Sequence, residues 1–374
     1  MRILIAPDKF KGSLTASEAA RRIAAGLGPG FECRLQPIAD GGEGTAEAIR
    51  LALGGEWVPV RAEDPLGREV DAGFVRVRRD GEQVAVVDLS EASGLWRLAE
   101  GERDPWRAST FGTGQLVRAA AEDGADRIVV GLGGSATNDG GTGWARALGY
   151  RFEDAAGAEV AVVPEALERV TRITGTRIPL PRIVAACDVT NPLLGESGAT
   201  RVYGPQKGIT AVDFARHEER LRHLAALVER DLGFRGRELP GSGAAGGAGF
   251  GAMAFAGAEM GSGFDLVAEL TGLAEAMAWA DLVITGEGGL DLQTLHGKGP
   301  HGVAAMARAV GKPVVAFAGR VEGDAEAALG EVFDGIWRIA PEGTAVAESM
   351  LLAGDFLENA VRKAVPELRR RIPG

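Results

Sequence analysis

The sequence predicts an α/β protein in which a discontinuous, flavodoxin/Rossmann-like three-layer domain with a parallel sheet is interrupted by a second, inserted mixed α/β domain. Three observations carry this. Apolar runs that end in loops and lead into amphipathic stretches recur at both ends of the chain. A central segment alternates polar and apolar residues in period two. The 374 residues also exceed the roughly 250–300 at which a single core stops growing.

Residues 3–6 form a short apolar run ended by Pro7, and an amphipathic stretch follows over about 15–27. The pattern returns with residues 35–39, the loop ADGGEG and a helical run at about 45–53. It returns again with DLVIT from 281, the loop GEGGLDLQTLHGKGP and a helix at about 301–310. PVVAFAG and GIWRIAP complete the series before a C-terminal helix at about 345–370. Short apolar strands separated by helices predict a parallel sheet of about five strands covered on both faces. Between the two ends, VPVRA, AGFVRVRR and EQVAVVDL alternate as half-buried antiparallel strands do. Residues 127–132 and 182–187 are apolar strands that run into Gly- or Asp-rich loops. The expected division is 1–57 plus 276–374 for the discontinuous domain and 58–275 for the insertion, with the active-site cleft between them.

Composition narrows the function. Lys and Arg number 41 against 52 Asp and Glu, a net charge of −11, so neither nucleic acid nor a membrane surface is expected as a partner. Cys33 and Cys187 cannot build a disulfide framework or a zinc site alone, and His217, His223, His296 and His301 are scattered. The N-terminal apolar run is too short for a signal peptide, and no 18-residue apolar stretch occurs. A soluble, cytoplasmic protein is expected. The 56 glycines, twice the usual share of about 7%, point to many tight backbone loops.

Six loops combine flexible backbone with charge: APDKFKGS, ADGGEGT, GLGGSATNDGG, CDVTNPLLG, PGSGAAGG and GEGGLDLQTLHGKG. In open α/β sheets ligands bind beyond the carboxyl ends of strands, which is where most of these begin. GLGGSATNDGG can cradle a phosphate with its backbone N–H groups and the hydroxyls of Ser135 and Thr137, ahead of a helix N-terminus. A Gly-rich turn capping that helix explains the same residues equally well. Asp8, Asp40, Glu43, Asp188, Glu287 and Asp291 lie on or just past strand ends. Each alone reads as a turn or cap residue; together they call for a cation, and Mg²⁺ suits oxygen-only ligands. Lys9, Lys11, Lys207 and Lys298 are counter-charges for phosphate or a small carboxylate, or ordinary surface lysines. GSGAAG fits a dinucleotide fingerprint but follows Pro240 rather than a buried strand, and no P-loop is present. His296 has an ordinary account as a loop residue, and Cys187 as a packed one.

In these loops the sequence resembles the glycerate kinase family, of the bacterial glycerate 2-kinase type. The resemblance rests on APDKFKGSLTA, PIADGGEGT, GLGGSATNDGG with GTGWARALG, DVTNPLLGESGA with YGPQKG, PGSGAAGG and ITGEGGLDLQTLHGKGPHGVA, in the family's order and over nearly the whole chain. It implies phosphorylation of D-glycerate by ATP with Mg²⁺, with 2-phosphoglycerate as the usual product. On that expectation Asp188 orients the acceptor hydroxyl as base, with Asp291 and Lys9 completing the catalytic set; the reverse assignment of Asp188 and Asp291 fits nearly as well. Gly133, Gly134, Ser135, Thr137 and Lys298 hold the ATP phosphates. Lys11, Ser13, Asp40, Gly41 and Gly42 hold the substrate, and Glu287, Asp291 and Glu43 hold Mg²⁺. The chain departs from the family at Gly289, where an Arg is expected, so another cation must serve there. Another small hydroxy-acid or sugar kinase, or a non-catalytic protein that binds a small acid, are the alternatives. GLGGSA is similar to the phosphate loop of galactokinase-like kinases, but the other loops have no counterpart there. Oligomeric state, including a homodimer, is left open.

Overall fold

A computed structural model describes residues 1–161, 163–291, 294, 299–323 and 325–371. The chain divides into two compact units. One comprises Met1–Asp40, Glu47–Gly54 and Phe264–Gly374; the other comprises Gly41–Ala46 and Gly55–Gly263.

The first unit is built on a five-stranded sheet, in the order Gly335–Arg338, Val314–Val321, Leu282–Leu290, Arg2–Ile5 and Glu32–Leu35. Every pairing is parallel. Because side chains alternate along a strand, the apolar runs feed two separate cores. Leu4, Val283, Val314 and Ala316 face one side, against the helices Leu273–Trp279, Pro300–Ala309 and Glu326–Val332. Ile3, Ile5, Leu282, Ile284, Val315 and Phe317 face the other, against Ala16–Leu27 and Ala353–Leu368. This is the three-layer parallel architecture the periodicity predicts. Helix Ala16–Leu27 starts where Thr15 accepts from Glu18 N at 3.1 Å and Glu18 accepts from Thr15 N at 2.8 Å, a reciprocal cap. It ends at Gly28, whose φ of 70° suits glycine.

Residues 264–275, which the pattern reading assigns to the middle segment, pack here instead. Phe264, Ala268 and Leu273 are buried with Leu4 and Val283, so the chain re-enters this unit at 263/264.

The second unit holds a mixed six-stranded sheet, ordered Glu259–Gly261, Arg182–Ala186, Arg127–Gly131, Glu82–Asp88, Glu69–Arg79 and Glu56–Glu63. The last three pair antiparallel, as the period-two segment predicts, and the first four pair parallel. Residues 41–46 belong to this unit. The Asp88 carboxylate, 3% exposed, accepts from Gly44 N at 2.9 Å and from Ala46 N at 3.2 Å. Among the described residues no helix is long and apolar enough to cross a membrane.

Helix Phe214–Leu232 carries a buried histidine into this unit. His217 stacks on Trp106 with ring centroids 3.9 Å apart, and neither ring nitrogen has a hydrogen-bond partner. Burial, then the positive charge of Arg220, holds it at about 4 instead of 6.5. The unfolded chain therefore binds a proton between those values that the fold refuses. Stability is complete above pH 6.5 and falls as pH drops toward 4, by on the order of 2–3 kcal/mol. His217→Phe keeps an aromatic ring on Trp106 and should flatten this fall. Urea unfolding midpoints of both proteins at pH 5 and pH 8 check it; an equal acid shift in the two would count against His217 as the cause.

Candidate active site

The Gly-rich loop leaves the sheet at strand Arg127–Gly131 and enters helix Thr142–Ala147. It is pinned at both ends by backbone bonds: Leu132 N donates to the Ala186 carbonyl at 3.2 Å and Gly140 N to the Gly246 carbonyl at 3.1 Å. Between them, Ala136 N donates to the Ser93 carbonyl at 2.9 Å, and Leu95 N donates to the Gly134 carbonyl at 2.8 Å. The N–H groups of Gly133, Gly134 and Ser135 have no acceptor among the described residues. Around them the side-chain oxygens Ser90 Oγ, Thr137 Oγ1 and Asn138 Oδ1 are buried without a partner. Unmet buried polar groups are uncommon; the hydroxyls of Ser90 and Thr137 can donate, and with the row of unused amides they suit an anion, whereas Asn138 Oδ1 can only accept.

The two central glycines are required for different reasons. A Cβ on Gly133 would stand 2.3 Å from Gly42 Cα, a backbone contact that cannot relax cheaply. Gly134 has a φ of 70°, which side chains resist, and its Cβ would meet Ser90 and Glu43 at 3.1 and 3.2 Å. Gly41 is likewise packed on backbone, its Cβ position 2.6 Å from the Ala186 carbonyl. Gly41 and Gly42 thus shape the loop's surroundings, and Glu43 is an exposed side chain beside Gly134.

Two further residues hold this loop: Asp139, to which the sequence assigns no role, and Lys207, which it offers as a counter-charge for phosphate or as a surface lysine. Asp139, fully buried, accepts from Thr110 N and Oγ1, both at 2.8 Å, from Gly141 N at 3.0 Å and from Gly143 N at 3.2 Å. Burial raises its carboxyl, and those four donors oppose the rise. Lys207, 1% exposed, donates from Nζ to Ser135 Oγ at 2.7 Å and to the Thr137 carbonyl at 2.6 Å. The signal for Asp139 is Asn-Asp-Gly-Gly ahead of a helix; YGPQKG carries none for burial. PGSGAAGG supports the loop from behind. Ala245, Gly246 and Gly247 all have positive φ, and a Cβ on Gly246 would lie 1.9 Å from the Thr137 carbonyl.

Asp188 lies just past strand Arg182–Ala186 in the same unit, half-buried, with Oδ1 accepting from Gly263 N at 3.1 Å.

The first unit gathers the remaining carboxylates. Asp8 is buried, and Lys9 donates from Nζ to Asp40 Oδ1 at 3.0 Å. Glu287, at the end of strand Leu282–Leu290, accepts from Thr294 Oγ1 at 2.9 Å. Thr294 N donates in turn to Asp291 Oδ1 at 3.1 Å. Burial pushes the Glu287 carboxyl up to about 7; the Thr294 bond opposes this, and the charges of Asp8, Asp291 and Asp40 add to it. The oxygen ligands of Glu287 and of the carboxylates acting on it, one of them paired with Lys9, suit a hard divalent cation such as Mg²⁺, which would reverse that push. Among the described residues no group of three or more His, Cys, Asp or Glu side chains is placed to hold a metal ion. The Mg²⁺ mode asks for one or two protein carboxylates, with phosphate oxygens and water completing the set.

Lys11 is exposed, and the Ser13 hydroxyl donates to the Phe10 carbonyl at 3.0 Å within its own turn. Lys298 and His296 lie outside the described residues. Gly289 has no atom within 4 Å of its Cβ position, and the residue paired with it on the neighbouring parallel strand is Arg320. An exposed cation thus stands beside the place where the family pattern expects one.

A sequence model described as the Glycerate kinase family matches residues 3–369. A protein named glycerate kinase in Halalkalibacterium halodurans is 42% identical over 367 residues, covering 96% of each chain. A glycerate 2-kinase of Escherichia coli K12 is 42% identical over 332 residues, covering 87% of this chain and 86% of its own. The crystal structure of a candidate glycerate kinase 2 from Salmonella typhimurium LT2 superposes with a TM-score of 0.84 at 38% identity, covering 99% of this chain and 98% of the other. Matches of this extent, on a fold with the same two α/β units, leave one conclusion: the chain belongs to the glycerate kinase family.

Proposed function

We propose that this chain transfers the γ-phosphoryl group of ATP to D-glycerate, giving 2-phosphoglycerate. The observation that carries the reading is the loop at 131–141, whose unengaged amides and buried hydroxyls suit a phosphate, in a chain that matches glycerate kinases over nearly its whole length.

Phosphoryl transfer asks little covalent work of a protein; it needs positioning and opposition to the charge that develops. The N–H groups of Gly133 and Gly134, with Ser135 and Thr137, are assigned to the ATP phosphates, and Lys298 is assigned to the same anion. Lys9, Lys11, Ser13 and Asp40 are assigned to glycerate, with Gly41 and Gly42 shaping the adjacent backbone. Glu287 and Asp291, with Glu43, are the assigned Mg²⁺ ligands; the cation, when bound, neutralises phosphate charge. Asp188 accepts the proton of the attacking hydroxyl. Arg320 is assigned the role of the Arg missing at 289. A cytoplasmic enzyme of small-molecule metabolism accords with two cysteines that are both free thiols.

Incubation with MgATP and D-glycerate, followed by ³¹P NMR, should show 2-phosphoglycerate; L-lactate and galactose should give no ADP. A folded protein that yields neither phosphoglycerate isomer would falsify the reading.

Gly134→Val should lose most turnover while the protein stays folded, because the strain there is local: its φ, and the side chains of Ser90 and Glu43, which can shift where a backbone cannot. Gly133→Val should lower the unfolding midpoint as well, by displacing Gly42. Circular dichroism beside steady-state kinetics separates the two, and wild-type kinetics in Gly134→Val would remove the loop from phosphate binding.

Asp188→Asn should lower kcat by about 10²–10⁴-fold with little change in ATP binding. Asp291→Asn should instead need more Mg²⁺ for half-maximal rate. Mg²⁺ titrations of both variants decide the assignment, and near wild-type kcat in both at ordinary Mg²⁺ would refute both roles.

A further inference from the structure

Lys207 closes the turn Pro205–Lys207, ahead of Gly208 at φ 95°. Both hydrogen bonds from its ammonium fall on the Gly-rich loop, and both acceptors, Ser135 Oγ and the Thr137 carbonyl, are uncharged. Among the described residues no carboxylate is within ion-pair distance of Nζ. Asp139 acts on it across space only, its oxygens being taken by Thr110, Gly141 and Gly143. A buried ammonium held by neutral acceptors is costly, and an anion bound by the same loop lowers that cost.

We propose that Lys207 is a positioning residue that readies the loop for phosphate, aiming the Ser135 hydroxyl and supplying a positive charge behind it. Once Lys207 is charged its ammonium has no acceptor, so the Ser135 proton cannot then point at it. With Nζ–H already on Oγ, that proton is left to donate to a bound phosphate. The proposal rests on the kinase reading, since it takes the anion to be a nucleotide phosphate. Burial holds Lys207 at about 7, and Asp139 pulls it upward. Arg103, whose guanidinium donates to the Gln206 carbonyl at 3.3 Å, is the other charged group at this turn. Above pH 7 the free protein therefore has Lys207 largely neutral, and an arriving phosphate draws a proton onto it.

Calorimetric titration of the full chain with MgATP at pH 8, in two buffers of different ionisation enthalpy, reads that proton. Wild type should take up about one proton more than Lys207→Met. Lys207→Met should also lose about 10²–10³-fold in kcat/KM. Its unfolding midpoint without nucleotide, measured at pH 6 where Lys207 is charged, should be unchanged or higher, because a buried charge without an ionic partner has gone. Lys207→Arg, charged at every pH, should restore part of the turnover without the proton uptake. Equal uptake in wild type and Lys207→Met, or turnover in Lys207→Met within a few-fold of wild type, overturns the proposal while the kinase reading stands. A wild type that neither binds MgATP nor phosphorylates glycerate overturns the kinase reading, and the proposal with it.

Discussion

Backbone packed directly on backbone is the constraint on which the second unit's loop depends. Gly133 lies on Gly42, Gly141 on Gly251 and Gly246 on the Thr137 carbonyl, each so close that a single methyl group would collide at 1.9–2.7 Å. Such contacts bring three chain segments together with nothing between them. They hold the 131–141 loop open without using the N–H groups of Gly133, Gly134 and Ser135, which a helix or strand would have consumed. The high glycine content follows from this. A site that presents main-chain donors has to be supported by main chain, because a side chain in the same space would push the loop out of shape.

Buried charge is the second determinant, and the two units treat it differently. Asp88 and Asp139 are buried carboxylates surrounded by N–H and hydroxyl donors, and they fix loop geometry as an N-cap does, from a distance in sequence. Glu287 has one hydrogen-bonded hydroxyl and three carboxylates acting on it. The first arrangement is complete in itself. The second sets carboxylates to act on a buried carboxyl group, with Lys9 paired to Asp40 among them, and a bound cation would oppose that repulsion.

Strands 3–6, 282–285 and 314–318 are legible in the sequence because both faces of a parallel sheet are covered, leaving unbroken apolar runs. Residues 264–275 are not, since Gly263 and Gly272 interrupt the helical period and the burial of Phe264 depends on strands far away. Asp8, Asp40 and Asp291 can be picked out by their position past strand ends, and Glu287 by its place after an apolar run, although its strand continues to Leu290. Lys207 can be offered as a counter-charge but its burial cannot be foreseen: a lysine between Gln and Gly in a Pro-containing turn has every local mark of a solvated residue. PGSGAAGG shows the same limit from the other direction. Its glycines match a dinucleotide pattern, whereas Gly246 lets Thr137 approach and Gly247 lets Gly140 approach, and contact partners so distant in sequence leave no local trace.

A protein of net charge −11 that handles two anionic substrates faces an electrostatic conflict. A surface of lysines and arginines would resolve it but would attract anions indiscriminately. Neutral donors resolve it differently: N–H groups and hydroxyls carry partial charges that act within a few ångströms and fade outside the loop. A cation buried behind such a loop adds attraction while remaining closed to solvent anions. Burial also makes that cation's charge conditional, since it is fully present only when an anion arrives to share it. An acidic surface and a phosphate-binding interior are then compatible, because the positive potential is confined to the place and the moment of binding.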